Sequence, residues 1–287
     1  MNKAISPASF QQIRDYVYQV AGIVIGAEKT AMVTSRLWRR LEATGCADYE
    51  AYLAFLRTNA GERERSLMLD LLTTNETYFF REQAHFKHLA EQILPAIHHR
   101  PVRIWCAAAS TGEEAYSLAM VLAEQCGWDG WDLLATDISS KALTQAEHGL
   151  YRMERLENMS PHYLKTYCLR GVNEFNGQMA INAKLRARVR FARHNLLQPL
   201  IGHNLFDVIF LRNVLIYFDQ PTKARVINHA LARLRPGGWL ILGHCESLMG
   251  MQMSLVQEAP SIYRKQPHSG DSAAVINTRR LPACESA

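Results

Sequence analysis

The chain has 287 residues, 48% of them hydrophobic and 21% charged, with a formal net charge of +5. These are globular values, enough chain for one large or two modest domains with a proper core. No uninterrupted apolar run approaches the ~18 residues of a transmembrane helix, and Cys46, Cys106, Cys126, Cys168, Cys245 and Cys284 form no C-x-x-C pair, which argues against a zinc site and for free thiols in a reducing cytosol.

The opening segment, MNKAISPASFQQIRDY, is polar and shows no secretory apolar core. Ser6-Pro7 reads as a cap followed by a first helical residue; Phe10, Ile13, Val17 and Val20 follow at helical spacing, and Gly22 ends the helix. A second helix is predicted from about Lys29 to Ala43, with Val33, Leu37 and Leu41 as its core stripe. Arg36, Arg39 and Arg40 stand at i, i+3 and i+4, so they share one face, a candidate contact for an acidic partner. Asp48 caps a third helix, and ERERSLMLDLL gives a fourth. Residues 1–85 therefore read as a small helical domain. LTTNETYFFREQ (72–83) then breaks the helical pattern. Its aromatics suit packing between two domains, but Asn75, Thr77 and Arg81 are more polar than such packing needs. HFKHLAEQILPAIHHR leads as a helix into the first strand.

From Val102 the pattern becomes strand, helix, strand, helix, the sign of a parallel sheet in an α/β domain (86–267). VRIWCAAASTGEEAYSL is a buried strand, a turn of small residues and a capped helix with Glu113 and Glu114 in its first turn. Open α/β sheets cradle nucleotide-like ligands at such turns. The glycines of a dinucleotide or P-loop fingerprint are missing, and an acid there repels phosphate but suits a hydroxyl-bearing or cationic ligand. The second strand, WDLLATDIS, ends at Asp137, 25 residues beyond Gly112, near where nucleotide folds place a ribose-binding carboxylate. SSKALTQAEHGLY is a helix. Residues 168–192 read as a small antiparallel insert, with QMAIN and RARVRF as strands, running into a third main strand that HNLL (194–197) ends. Leu150 to Arg193 holds nine Lys/Arg and three acids, an excess larger than that of the whole chain. The fourth strand is FDVIFLRNVLIYF, broken at Arg212-Asn213; KARVINHALARLRPGG is a helix ending in a Pro-Gly-Gly turn. WLILGHCES is the fifth strand, SIYRK a last edge strand, and 268–287 reads as a disordered tail.

Gly112-Glu113, Asp137, Asn195 and Asn213 thus sit at the ends of successive strands, where open α/β sheets bind ligands. Asp137 suits a ribose, Asn195 an adenine, and the acidic turn a sulfonium and an amino group. L-R-P-G-G before a late apolar strand is a further mark of methyltransferases that use S-adenosylmethionine, which is favoured over NAD because a pyrophosphate needs the absent glycine turn. The basic insert raises a nucleic-acid methyltransferase as the main rival, but RNVLIY lacks the Asn/Asp-Pro-Pro-aromatic string that base-amino methylases carry there. A non-catalytic module that merely binds the cofactor is a second rival.

The strings TTNETYFFRE, AAASTGEEAYSLA, ATDIS, HNLL, FLRNVLIYF, LRPGG and LGHCES, in this order, resemble those of the chemotaxis receptor methyltransferases of the CheR type, over roughly residues 10 to 265. The resemblance implies a helical N-terminal domain and a class I, Rossmann-like methyltransferase sheet with an inserted antiparallel β-subdomain. It implies methylation of glutamate side chains on the cytoplasmic helices of chemoreceptors, giving methyl esters and S-adenosylhomocysteine, by a cytoplasmic protein recruited to membrane receptor arrays without membrane insertion or nucleic acid. By position it places Asn75, Thr77, Arg81, Glu113, Asp137, Asn195, Leu196, Asn213 and Val214 at the cofactor, with Tyr217 and Arg81 lining the catalytic site. In this picture Arg36, Arg39 and Arg40 face acidic receptor helices, and a receptor C-terminal peptide adds to the insert by strand addition at QMAIN or RARVRF. Ala115 and Cys245 replace a proline and a serine common in the family, and Glu42 interrupts the basic helix face where arginine often continues.

Overall fold

The computed structural model describes residues 4–267 except 157, 249 and 252; the tail 268–287 lies outside the described residues. Helix α1 (Pro7–Ala21) starts where the Ser6 hydroxyl accepts the Ser9 N–H and stops at left-handed Gly22. Helices α2 (Thr30–Thr44), α3 (Tyr49–Leu56, capped by Asp48) and α4 (Glu62–Leu72) follow. Their apolar stripes meet in one core: Phe10, Ile13 and Val17 against Val33, Leu37 and Leu41, Tyr52 and Leu56, Met68 and Leu72. Each such side chain contributes about 1.5–3 kcal/mol by leaving water. At its edge the Glu64 carboxylate accepts both Arg40 Nε (2.8 Å) and Nη2 (2.6 Å), and also the Tyr52 hydroxyl (2.8 Å). Burial and that carboxylate together push the Tyr52 phenol well above its ordinary range.

A connecting helix runs as α5 (Gln83–His88), a π turn (Leu89–Ile93) and α6 (Leu94–Ala96). The wide turn comes just before Pro95, which has no N–H to give to the ladder. The α/β domain follows as β1 (Val102–Ala107), α7 (Glu113–Cys126), β2 (Trp131–Asp137) and α8 (Ser140–His148). Next come β3 (Leu150–Arg152), α9 (Pro161–Tyr167), β4 (Cys168–Arg170), β5 (Gln178–Ile181), α10 (Ala183–Arg186) and β6 (Val189–Arg193). The chain closes with β7 (Phe206–Leu211), α11 (Gln220–Arg233), β8 (Leu234–Leu242), β9 (Leu255–Ala259) and β10 (Ile262–Lys265). The main sheet has the order β6-β2-β1-β7-β8-β10-β9. Its first five strands are parallel, and β10 and β9 are antiparallel additions. Strand β7 is buried at every position, because an apolar core packs on each face of the sheet. The order reverses at β1, so the carboxyl ends of β2, β1 and β7 open into the crevice where such sheets bind ligands.

Several local expectations need correcting. The subdomain sheet, β3-β5-β4, starts at Leu150 rather than 168. Its QMAI strand, β5, pairs on both sides and offers no free edge. Of RARVRF, Val189–Arg193 joins the main sheet beside β2, in parallel. The segment after Arg212 is not strand: Asn213 takes φ +56°, and Leu215–Tyr217 coil into a 3-10 turn. Pro236-Gly237-Gly238 lies within β8, where the pairing with β7 shifts register between Phe206 and Val208. SIYRK is covered by β9, whose LVQEA sequence is too exposed to carry an alternating core signal. The basic stretch is largely spent internally: Lys184 lies over Trp128 and Arg188 over Trp131, and Arg186 donates to the His148 carbonyl.

Candidate active site

The turn after β1 is built from small residues because its backbone is bent left-handed three times, at Ala108 (φ +65°), Ser110 (+50°) and Gly112 (+97°). A Cβ on Gly112 would stand 2.7 Å from the Ala146 Cβ and 2.9 Å from the Tyr151 hydroxyl, so glycine is demanded by space as well as by φ. Asp137, at the end of β2, holds the turn in shape. Its Oδ2 accepts the Ser110 N–H (2.8 Å) and its Oδ1 the Ser139 N–H (2.9 Å). Burial pushes its carboxyl above the ordinary range, against the pull of the Ser139, Ser110 and Ile138 N–H groups. Two such bonds leave a carboxylate about half its acceptor capacity, and Asp137 lines the cleft beside it.

That cleft encloses about 970 Å³, open solvent at its mouth included, at the upper end of small-molecule sites. It gathers Asn75, Thr77, Arg81, Asp137, Asn195, Leu196, Asn213, Val214 and Tyr217. Glu113 is not among its walls. That side chain is fully buried, with Oε2 accepting the Thr111 hydroxyl (2.6 Å) and Oε1 paired to Arg155 (2.9 Å). The neighbouring acid, Glu114, faces the cleft instead. Asn195 contributes a wall, but its amide is engaged: Nδ2 donates to the Val20 carbonyl (2.6 Å) and Oδ1 accepts the Leu197 N–H (3.1 Å). Arg81 donates to the Glu76 carbonyl (2.9 Å) and lies over Tyr78. The Tyr217 backbone is fixed by its carbonyl, which accepts the Val24 N–H (2.9 Å), while its hydroxyl has no hydrogen-bond partner among the described residues.

A buried ion cluster, missed by reading the sequence, backs the cleft. The Arg212 side chain is fully buried; it donates to Glu114 Oε2 (2.5 Å), Glu82 Oε2 (2.8 Å) and the Arg81 carbonyl (2.6 Å). Burial disfavours its charge, but the two carboxylates outweigh that and raise its pKa. Glu246 anchors the next loop by accepting the N–H groups of Asn213, Leu215 and Gly243. Carboxylates thus outnumber guanidinium groups around Arg212, which leaves the cleft a surplus of negative charge for a cationic ligand. A charged residue ending an all-apolar strand was the available sequence signal. Glu82, His85 and His244 bring potential ligand atoms within 4.8 Å of one another. Because Arg212 already holds the Glu82 carboxylate, we assign no metal there.

The helical domain supplies part of the cleft. Ala21 and Ile23 line it, Ile23 bridges to Phe218, and the Tyr18 hydroxyl donates to Asp219 (2.8 Å). Of the three arginines on α2, two are turned to internal work. Arg36 donates to the carbonyls of Leu71, Leu72 and Thr73, where α4 gives way to the cleft-lining segment, and Arg40 holds Glu64. Arg39 is exposed and stacks on Trp38.

A cleft at the carboxyl ends of a reversed parallel sheet, acidic and without a phosphate-binding glycine loop, fits an α/β methyltransferase that uses S-adenosylmethionine. The comparisons agree. The family model for the CheR methyltransferase SAM binding domain matches residues 75–262, and that for the CheR all-alpha domain matches residues 8–73. The chain is 38% identical over 265 residues to the chemotaxis protein methyltransferase of Salmonella typhimurium, with 91% of each chain covered. It is 39% identical over 267 residues to that of Escherichia coli, again with 91% of each covered, and 40% identical over 266 residues to that of Klebsiella aerogenes, with 90% of each covered. The chain belongs to the CheR methyltransferase family.

Proposed function

We propose that this methyltransferase esterifies glutamate side chains on the cytoplasmic helices of chemoreceptors, and that it does so in the cytoplasm. S-adenosylmethionine, when bound, would supply an electrophilic methyl group to the glutamate oxygen and leave as S-adenosylhomocysteine. The observation that carries the reading is the acidic cleft shared by Asp137 and Glu114, backed by a buried arginine that two carboxylates already satisfy. Asp137 and Asn213 would hold the hydroxyl and amino groups of the cofactor, with Asn75, Thr77, Leu196 and Val214 as walls of the cleft around it. A glutamate with a reference pKa of ~4.3 is ionised at neutral pH, so no general base is required. What the chain must supply is position and exclusion of water. Arg81 and Tyr217, both in the cleft lining, orient the incoming carboxylate, Tyr217 through its uncommitted hydroxyl.

Arg39 is the arginine of α2 best placed to meet an acidic receptor helix, since Arg36 and Arg40 are held inward. If a receptor C-terminal peptide adds to the subdomain, β5 is unavailable, and the outer strand β4, which carries exposed Leu169, is the strand to receive it. The test is transfer of a labelled methyl group to receptor-containing membranes. The expected product releases methanol in base; base-stable label would overturn carboxyl methylation, and label in added RNA would favour the nucleic-acid rival. Tyr217→Phe should lower kcat at saturating cofactor by about tenfold or more, the loss of one charge-assisted hydrogen bond. Unchanged turnover would remove Tyr217 from the mechanism.

A further inference from the structure

The β-subdomain does more than hang from the sheet: it grips both walls of the cofactor cleft. Arg155 lies in the 3-10 turn Met153–Leu156 that follows β3. Its Nη1 donates to the Thr77 carbonyl (3.1 Å) on one wall and to Glu113 Oε1 (2.9 Å) behind the other. Thr77 belongs to the segment that lines the cleft from outside the sheet, and Glu113 opens α7 directly after the left-handed turn. The same two walls are held by neighbours of Arg155. The Tyr151 hydroxyl donates to the Thr111 carbonyl (2.7 Å), and its ring packs edge-on against Phe79. The Phe80 ring stacks on Tyr163 from α9.

We propose that Arg155 is a positioning residue for the cofactor: by bridging Thr77 and Glu113 with one guanidinium, it fixes the separation of the two cleft walls and so sets cofactor affinity. The proposal rests on the reading of the cleft as an S-adenosylmethionine site. The argument is electrostatic as well as geometric. The Glu113 side chain is fully buried, and Arg155 is its one ion-pair partner among the described residues. Burial raises the Glu113 pKa against the help of Thr111, the Glu113 N–H and Arg155. Arg155 reaches in from the surface, its side chain 41% exposed, but Glu113 has no access to water, so removing the guanidinium strands a buried carboxylate. A stranded Glu113 carboxylate relaxes by drawing water or a cation toward the turn, and that displaces Ala108 and Ser110, both of which line the cleft. Arg155 itself touches no cofactor atom in this account; it acts through Glu113 and the Thr77 carbonyl.

The test is calorimetric titration of the full chain with S-adenosylhomocysteine, alongside steady-state methyl transfer, for Arg155→Met, Arg155→Lys, Glu113→Gln and Arg155→Met/Glu113→Gln. Arg155→Met should weaken cofactor binding and raise the cofactor KM by about tenfold, with kcat changed by no more than about twofold. Arg155→Lys should recover part of the loss. The double variant should bind better than Arg155→Met alone, because the stranded charge has gone with its partner. A loss of folding alone would lower active fraction and kcat without producing that reversal. Wild-type affinity in Arg155→Met, or a double variant whose loss is the sum of the two single losses, overturns the proposal. If Arg155→Met does not fold, the Arg155→Lys titration decides: a lysine that binds as tightly as arginine overturns it. Calorimetry needs no receptor, so a wrong assignment of the methyl acceptor would leave this result standing, whereas failure of the wild-type chain to bind S-adenosylhomocysteine would strike the cofactor reading itself.

Discussion

At the scale of single residues, burial decides which charges the molecule can tolerate. His85 is 1% exposed, and its ring nitrogens have no hydrogen-bond partner among the described residues. Burial, reinforced by the Arg212 charge, holds its pKa down to about 4. An imidazole whose pKa is lower in the fold than in the unfolded chain adds stability that is present above about 6.5 and is lost as pH falls towards 4. A displacement of that size is on the order of 3 kcal/mol. Glu82, held below the ordinary range by Arg212 in spite of its own burial, adds a second loss on the same acid side, below about 4.5. Thermal melts of the wild type should therefore fall between pH 6.5 and 4, and His85→Gln should flatten the upper part of that limb. Identical slopes would mean that His85 does not report the folded environment. Asp137 was readable from the sequence as the acid that ends a strand, and it does end β2 and line the cleft. The sequence did not separate Glu113 from Glu114, since adjacent helical positions point about 100° apart and only the phase of the first turn says which one faces the cleft.

At the scale of elements, regular pattern was readable and departures from it were not. The stripes Phe10-Ile13-Val17 and Val33-Leu37-Leu41 are buried as their spacing required, and the all-apolar β7 is a central strand. Pairing partners are another matter, because QMAI alternates equally well at an edge or between two neighbours, and nothing local fixes which. Arg212 broke the apolar run visibly, but its two carboxylate partners lie 98 and 130 positions away in sequence, out of reach of any local rule. The connection between α1 and the 3-10 helix near Ala27 shows how a short element can matter to the site. Gly22 takes φ +71°, and a Cβ there would stand 2.7 Å from Thr222 Cγ2 and 2.9 Å from Leu197 Cδ2. Gly22→Ala should cost about 1 kcal/mol or more, through backbone strain and lost docking on α11. It should also weaken cofactor binding, because Ile23 is the next residue; urea melts and cofactor titration read the two effects separately.

At the scale of the whole molecule, the helical domain and the sheet are parts of one site rather than neighbours on a string. The change from helical to strand periodicity was legible in the sequence, but the stitching between the helices and the sheet was not. Asn195, read as a ligand for adenine, lines the cleft while its amide also pins the end of α1. Cofactor binding stabilises whatever is folded around it, by about 2.7 kcal/mol at a hundredfold excess over Kd. Hydrogen exchange should therefore slow on adding S-adenosylhomocysteine in both domains, at Val24 as well as at Ser110 and Ser139. Protection confined to the α/β domain would show that the helical domain closes no part of the site.

The Val24–Tyr217 hydrogen bond joins positions 193 residues apart in the chain. During synthesis at ~5–20 residues per second the helical domain leaves the ribosome many seconds before Tyr217 is made, and domains fold in that order. Until then the apolar face around Ile23 has no sheet to rest on. A chain made only as far as β6 lacks Arg212, Asn213 and Tyr217, three residues of the cleft lining. The walls of the cleft, which run from Ala21 to Phe218 in the chain, are therefore complete only after β7 and the turn behind it have been made.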